Sequence, residues 1–292
     1  MNNWNKKLIL GTVQFGLDYG INNTWGQMSE AEVFHILDHA HANDILFLDT
    51  AAAYGNSEER IGKYLNSNPD VNFKIITKFD LKENNSPIES LEKSLEKLKT
   101  NKIDTIMFHN FDDFIKQKSE DILSLIKLKG IKFDRLGISV YTNEQIQKIC
   151  KLHLFEVVQL PFNAFDNQIY RSEYITLLKE NNIEVHTRSV FLQGLFFMET
   201  DKIPNKIKPL LKNLFTLQQI ANKYQVSIEA LALQYALSIP DIDNVLMGVD
   251  SLEQLKSNLN NVSLKIDYKA FDEINEIIVQ EVELLNPAKW YS

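Results

Sequence analysis

Four polar side chains in the first half of the chain are of types that together protonate a carbonyl as it is reduced: Asp49, Tyr54, Lys78 and His109. Carbonyl reduction needs a hydride at carbon and a proton at oxygen. A free tyrosine, with a pKa of about 10, gives up its proton poorly at neutral pH. An ammonium beside it favours the phenolate and lowers that pKa, and a carboxylate keeps the ammonium charged and in place. An imidazole orients the carbonyl oxygen by hydrogen bonding. In this scheme Tyr54 is the acid, Lys78 the cation that tunes it, Asp49 the anchor of Lys78, and His109 the orienting donor. Each residue alone is more often a packing, turn or surface group. The conjunction of four complementary types is what points to chemistry.

Strand ends must position them. Apolar runs at residues 8–13, 45–49, 73–78, 103–109, 133–139, 155–160, 183–187 and 244–247 read as strands buried on both faces, as in a parallel sheet. Asp49, Lys78 and His109 end the second, third and fourth of these, and Tyr54 lies in the short loop after the second. Amphipathic helix patterns lie between them. Ser29 with Glu32 three residues on starts one, Ser57 with Glu58 and Glu59 opens another, and Ser86-Pro87 a third. Thr142 caps a further helix, and Ser251 with Gln254 a late one. Residues 206–224 and 227–237 read as two consecutive helices, and 268–285 as an additional C-terminal helix. This alternation, without a linker, predicts one (β/α)₈ TIM barrel, a single domain over residues 1–292. A doubly wound open sheet is the alternative. It prefers a G-x-G-x-x-G first turn, and none follows a strand here.

With 292 residues, 44% hydrophobic and 24% charged, the chain is long enough for such a core. A net charge of −8 argues against nucleic acid as a partner, because phosphates require a basic face. Cys150, the one cysteine, has no second thiol to pair with and suits a reducing compartment. No apolar run reaches the about 18 residues of a membrane span. The early apolar run contains Gly11 and Gln14 and does not read as a signal peptide, so the expected location is cytoplasmic. His35, His39 and His41 cluster on a helix at the barrel's outside without the glutamate of an H-E-x-x-H site, and no metal is expected.

The run Phe47-Leu48-Asp49-Thr50-Ala51-Ala52-Ala53-Tyr54-Gly55-Asn56-Ser57-Glu58 resembles the D-T-A-x-x-Y-G-x-S-E signature of the aldo-keto reductase superfamily. Ile76-Thr77-Lys78 resembles that family's lysine strand, and Met107-Phe108-His109-Asn110 its histidine strand. The resemblance runs from about Leu8 to Asn258. It implies the barrel fold, the four roles above, and a nicotinamide dinucleotide extended across the barrel mouth.

It also implies cofactor contacts. Gly11-Thr12-Val13 resembles the first-strand segment near the nicotinamide, where Asp49 also lies. Ser139 and Gln159 match the carboxamide partners, although Val140 replaces the asparagine usual after that serine. Arg188 stands where relatives stack an aromatic ring on the nicotinamide, and a guanidinium plane also stacks. Ser189 and Leu192 through Gly194 match the pyrophosphate segment. Gly248, Gln254 and Asn258 fall in the adenosine loop and helix. The family's usual Lys-Ser and later Arg, which hold a 2′-phosphate, are replaced there by Gly248, Val249 and Gln254, and Asp250 is acidic. Relatives with glycine at that position still use NADPH, so the expectation favours NADP(H) over NAD(H).

Residues 11–23 resemble a bacterial branch of the family associated with surface-polysaccharide biosynthesis. The substrate implied is a small carbonyl compound, a sugar or nucleotide-sugar. Asp18, Tyr19, Trp25, Tyr54, Phe79, His109, Asn110, Tyr141 and Asn163 are the candidate substrate contacts. Trp290-Tyr291, after Pro287, is a candidate cover for the pocket. The alternative to an active reductase is a non-catalytic cofactor-binding sensor or partner-binding subunit on the same fold. The expected assembly is a monomer or homodimer.

Overall fold

Strands with both faces apolar are stable only when each edge is paired and each face covered. Here eight of them meet both conditions by closing on themselves. They are β1 (Leu8–Gly11), β2 (Phe47–Asp49), β3 (Lys74–Lys78), β4 (Ile103–Phe108), β5 (Phe133–Ser139), β6 (Val157–Pro161), β7 (Glu184–Arg188) and β8 (Asn244–Gly248). They pair in sequence order, all parallel, and β8 returns to β1 with Gly11 opposite Gly248. The result, in a computed structural model describing residues 4–21, 26–81 and 86–290, is a (β/α)₈ TIM barrel with helices outside. Among the described residues no helix is long and apolar enough to cross a membrane.

Strand parity then places the polar residues. Ile9, Phe47, Ile76, Met107 and Val157 form one small buried cluster, apart from the large core that includes their neighbours Leu8, Leu10, Leu48, Phe108 and Val158. Side chains two apart share a face. Asp49, Lys78, His109 and Gln159 each stand two residues after a member of the small cluster, so all four point into the barrel at its C-terminal mouth.

The caps follow the local chemistry. The Ser29 hydroxyl accepts from the Glu32 N–H ahead of the helix Glu30–Ala42. Ser86 with Glu89, and Thr142 with Gln145, form reciprocal capping boxes, and Ser251 accepts from the Gln254 N–H. Ser57 has a different task. Asn56 is the cap position, and the buried Ser57 hydroxyl donates to the Thr12 carbonyl and accepts from Thr50, joining the ends of β1 and β2.

Two stretches depart from the expected helices. Residues 206–224 divide into a 3₁₀ segment, Asn205–Leu210, and the helix Leu211–Lys223. Residues 268–285 are not one helix: Lys269–Asn275 is helical, and only Val282–Leu285 coils again, as 3₁₀. The β-branched run Ile277-Ile278-Val279 follows the first piece, and side chains capture its backbone. Asn167 donates to the carbonyls of Ile274 and Ile277, Asn213 to that of Ile278, and Tyr170 bonds Val279 on both sides. Tertiary partners here outcompete helical ones.

The loop carrying Tyr54 is pressed against a single helical turn after β1, Val13–Gly16. A Cβ on Gly16 would fall 1.7 Å from the Tyr54 carbonyl oxygen, which only glycine permits. Arg60 clamps the same corner by donating to the carbonyls of Phe15 and Met28. Gly16→Ala is expected to destabilise the fold by about 1–3 kcal/mol through overpacking, read as a lower urea midpoint at unchanged slope. An unshifted midpoint would show that the corner yields without cost.

Candidate active site

The deepest polar group is an ion pair. Lys78 Nζ lies 2.5 Å from Asp49 Oδ1, with side chains 2% and 3% exposed. The ammonium also donates to the Thr50 carbonyl at 3.0 Å, and the other Asp49 oxygen accepts from Gln159 Nε2 at 2.8 Å. Four groups from β2, β3, β6 and the β2 loop thus satisfy one another. The amine sits 5.3 Å from the centre of the Tyr54 ring, and that ring meets His109 edge to face at 5.9 Å and 78°.

The electrostatics differ from the expected tuning. Burial, then the Asp49 carboxylate, hold the Tyr54 phenol well above its ordinary value, while Arg188 acts the other way. The Lys78 charge, instead of lowering the phenol, is neutralised by Asp49. Tyr54 is therefore held in its protonated form. Burial lowers Lys78, and Asp49 opposes that shift. Tyr19, across the opening, is pushed up to about 12, chiefly by burial.

These groups open into a cleft of about 1040 Å³ across the barrel mouth, large for a small substrate alone. Asp49, Tyr54, Lys78 and His109 line it, with Gly11, Thr12, Val13, Ser139, Gln159, Arg188, Ser189, Gly194, Gly248, Gln254 and Asn258. Of the substrate-side residues, Asp18, Tyr19 and Tyr141 line it too.

Others do not. Leu192 is 0% exposed and belongs to the core, its backbone alone forming part of the loop. Phe79, 1% exposed, packs on Phe108 with ring centres 4.9 Å apart. It follows Lys78 by one position, so parity turns it outward, against the helices. Asn110 caps the helix Phe111–Ile115 by accepting from the Asp113 N–H. Asn163, 0% exposed, accepts from the amides of Phe165 and Asp166 and donates to the Ser189 carbonyl, holding a loop. Trp290 is buried, with its indole donating to the Leu284 carbonyl, and Pro287 and Ala288 line the cleft in its place. Trp25 and Tyr291 lie outside the described residues.

Arg188 is already engaged. Its guanidinium stacks over Tyr141 at 4.1 Å and donates to Ser139 Oγ and the Val140 carbonyl. The loop after β7 holds Ser189, Leu192, Gln193 and Gly194 at positive φ, which turns it back over the opening. There Gln193 donates to the Tyr19 hydroxyl at 2.7 Å. That contact joins residues 174 positions apart, so neighbouring sequence gives no sign of it. Gln14, Glu229 and Ser257 are further wall residues that sequence reasoning passed over. Gln14 directly follows the Gly-Thr-Val run, its one available signal.

Two buried side-chain atoms on the wall have no hydrogen-bond partner among the described residues, Gln14 Oε1 and Asp250 Oδ1. Buried polar atoms are normally paired, and these two are not. The volume of the cleft leaves room for a dinucleotide.

Comparison with known proteins agrees with this geometry. The chain is 25% identical to the NADH-specific methylglyoxal reductase of Escherichia coli K12, over 89% of this chain and 94% of that one. It is 26% identical to the L-galactose dehydrogenase of Arabidopsis thaliana, over 94% and 92%. An aldo-keto reductase structure from Bacillus halodurans, in its holo form, superposes with a TM-score of 0.74 at 22% identity, over 94% of both chains, and so shares the fold. The Aldo/keto reductase family model matches residues 7–279, and the chain belongs to that family.

Proposed function

We propose that the protein reduces an aldehyde or ketone to an alcohol, with Tyr54 as proton donor. The observation that carries this reading is the convergence of a protonated buried phenol, an ion-paired lysine and a histidine on one wall of an open cleft. A reduced nicotinamide, when bound, supplies the hydride for the carbonyl carbon. Ser139 and Gln159 would hold its carboxamide, and the backbone of residues 189–194 its diphosphate. His109 orients the carbonyl oxygen, and Tyr54 delivers the proton to it as negative charge develops there. The Lys78–Asp49 pair holds that wall in register beneath the Tyr54 ring.

The substrate we propose is a sugar or nucleotide-sugar carbonyl. Asp18, Tyr19 and Tyr141 at the opening offer aromatic faces and hydroxyl-binding groups. The resemblance of residues 11–23 to the polysaccharide branch supports this, and the Arabidopsis relative is itself named for a sugar. NADPH and NADH carry the same reacting ring, so the choice between them is made elsewhere in the cleft.

Tyr54→Phe is expected to lower kcat for an aldose or aromatic aldehyde by at least about 10²-fold, with nucleotide affinity unchanged by calorimetry. A rate within error of the parent would remove Tyr54 from the mechanism. Reduction should fall with rising pH at a midpoint below the ordinary lysine value, because burial lowers Lys78 and its neutral amine leaves Asp49 uncompensated. Tyr54, raised above its ordinary value, keeps its proton across that range. The check is a pH–rate profile of the parent beside Lys78→Met. An identical alkaline limb in both would assign it to another group.

A further inference from the structure

The opposite end of the cleft has a different chemistry from the catalytic end. In a closed ring of eight strands, the end of β8 faces β4 and its histidine across the mouth. Gly248 and Asp250, at and after the end of β8, line the cleft there, joined by Gln254 and Ser257 of the helix Leu252–Val262. Glu229, from the helix Ile228–Ser238, lines it with them. The charged wall residues at this end, Asp250 and Glu229, are both acidic.

No lysine or arginine among the described residues lines that end. The two on the cleft wall are Lys78 and Arg188. Lys78 is committed to Asp49, and the Arg188 guanidinium turns toward β5, bonded to Ser139 and Val140. The unpartnered atoms are acceptors. Gln14 is 8% exposed with Oε1 unbonded, and its amide lies against Gly248, where a Cβ would come within 3.3 Å of it. Asp250 Oδ1 is likewise buried and unbonded, while Oδ2 and the backbone N–H engage the Gln254 amide. At the helix N-terminus the Ser251 hydroxyl already takes the Gln254 N–H.

We infer that this end of the cleft takes a ribose with a free 2′,3′-diol and rejects one bearing a 2′-phosphate, so that Asp250, with Gln14 and Glu229, makes the protein select NADH over NADPH. The inference rests on the reductase reading above. A ribose hydroxyl is a donor and suits a wall lined by the Asp250 and Glu229 carboxylates. A phosphate dianion brings acceptors only, faces two carboxylates, and finds none of the cations that ordinarily hold it. Like charges brought together in a desolvated interface are strongly unfavourable. This reverses the preference for NADPH expected from the sequence.

Calorimetric titration of the purified protein with NADH, NADPH, ADP-ribose and 2′-phospho-ADP-ribose reads the effect without turnover. NADH and ADP-ribose should each bind at least about tenfold more tightly than their 2′-phosphorylated forms. Asp250→Asn, which keeps the shape and the Gln254 contact, should shrink that ratio mainly by tightening the phosphorylated ligands. Raised ionic strength should shrink it in the parent too. NADPH binding as tightly as NADH, or an unchanged ratio in Asp250→Asn, would overturn the assignment and leave the reductase reading standing. Failure of all four ligands to bind would overturn both.

Discussion

A lysine and an aspartate that are almost wholly buried cannot be tolerated apart. Removing either charge from water costs several kcal/mol after relaxation, and their attraction offsets this only in good geometry with the remaining polar atoms bonded. The site meets that condition fully. One Asp49 oxygen faces Lys78 and the other takes the Gln159 amide, while Lys78 has the Thr50 carbonyl as a second acceptor. Three strands and a loop are bound to one ion pair, and the Tyr54 ring lies over it. The constraint is strict in its consequence: a shift of any of these elements leaves a buried charge unpaired.

That network depends on barrel closure. Each member reaches the interior because strand parity places it two residues beyond an interior hydrophobe, and the strands meet because the sheet has no edge. The loop after β2 is held by a different device. Gly16 and Gly55 let the backbones of the β1 and β2 loops touch, with Gly55 at a φ of +54°. Ser57 ties Thr12 to Thr50 beneath them. Tyr54 is thus positioned by close backbone packing, while Lys78 and Asp49 are positioned by register.

The parts legible in the sequence are those governed by local rules. Strand parity put Asp49, Lys78 and Gln159 on the cleft wall, and caps such as Thr142 and Ser86 stood at the ends of their helices. What was not legible needed distant partners. Phe79 looks like a substrate contact beside Lys78, but one step along a strand reverses its face. Asn110 and Asn163 have the right chemistry for sugar hydroxyls, and their amides are consumed by a helix cap and a loop. The phenol's raised pKa was hidden for the same reason. An ammonium near Tyr54 suggests a lowered value, and only the geometry shows that Asp49 cancels the charge while burial dominates. The interrupted C-terminal helix depends on Asn167, Asn213 and Tyr170, each more than 60 positions away.

One rule accounts for the contrast between the two ends of the cleft. A buried polar atom requires a partner, and the protein either supplies it or leaves it to a ligand. Around Lys78 the protein supplies nearly all of them, which fixes Lys78, Asp49 and Gln159 before anything binds. At the β8 end Gln14 and Asp250 keep acceptors unsatisfied. An unsatisfied buried acceptor costs stability that a paired one does not. Gly248 brings no side chain of its own to this wall, and the Gln14 amide lies against it.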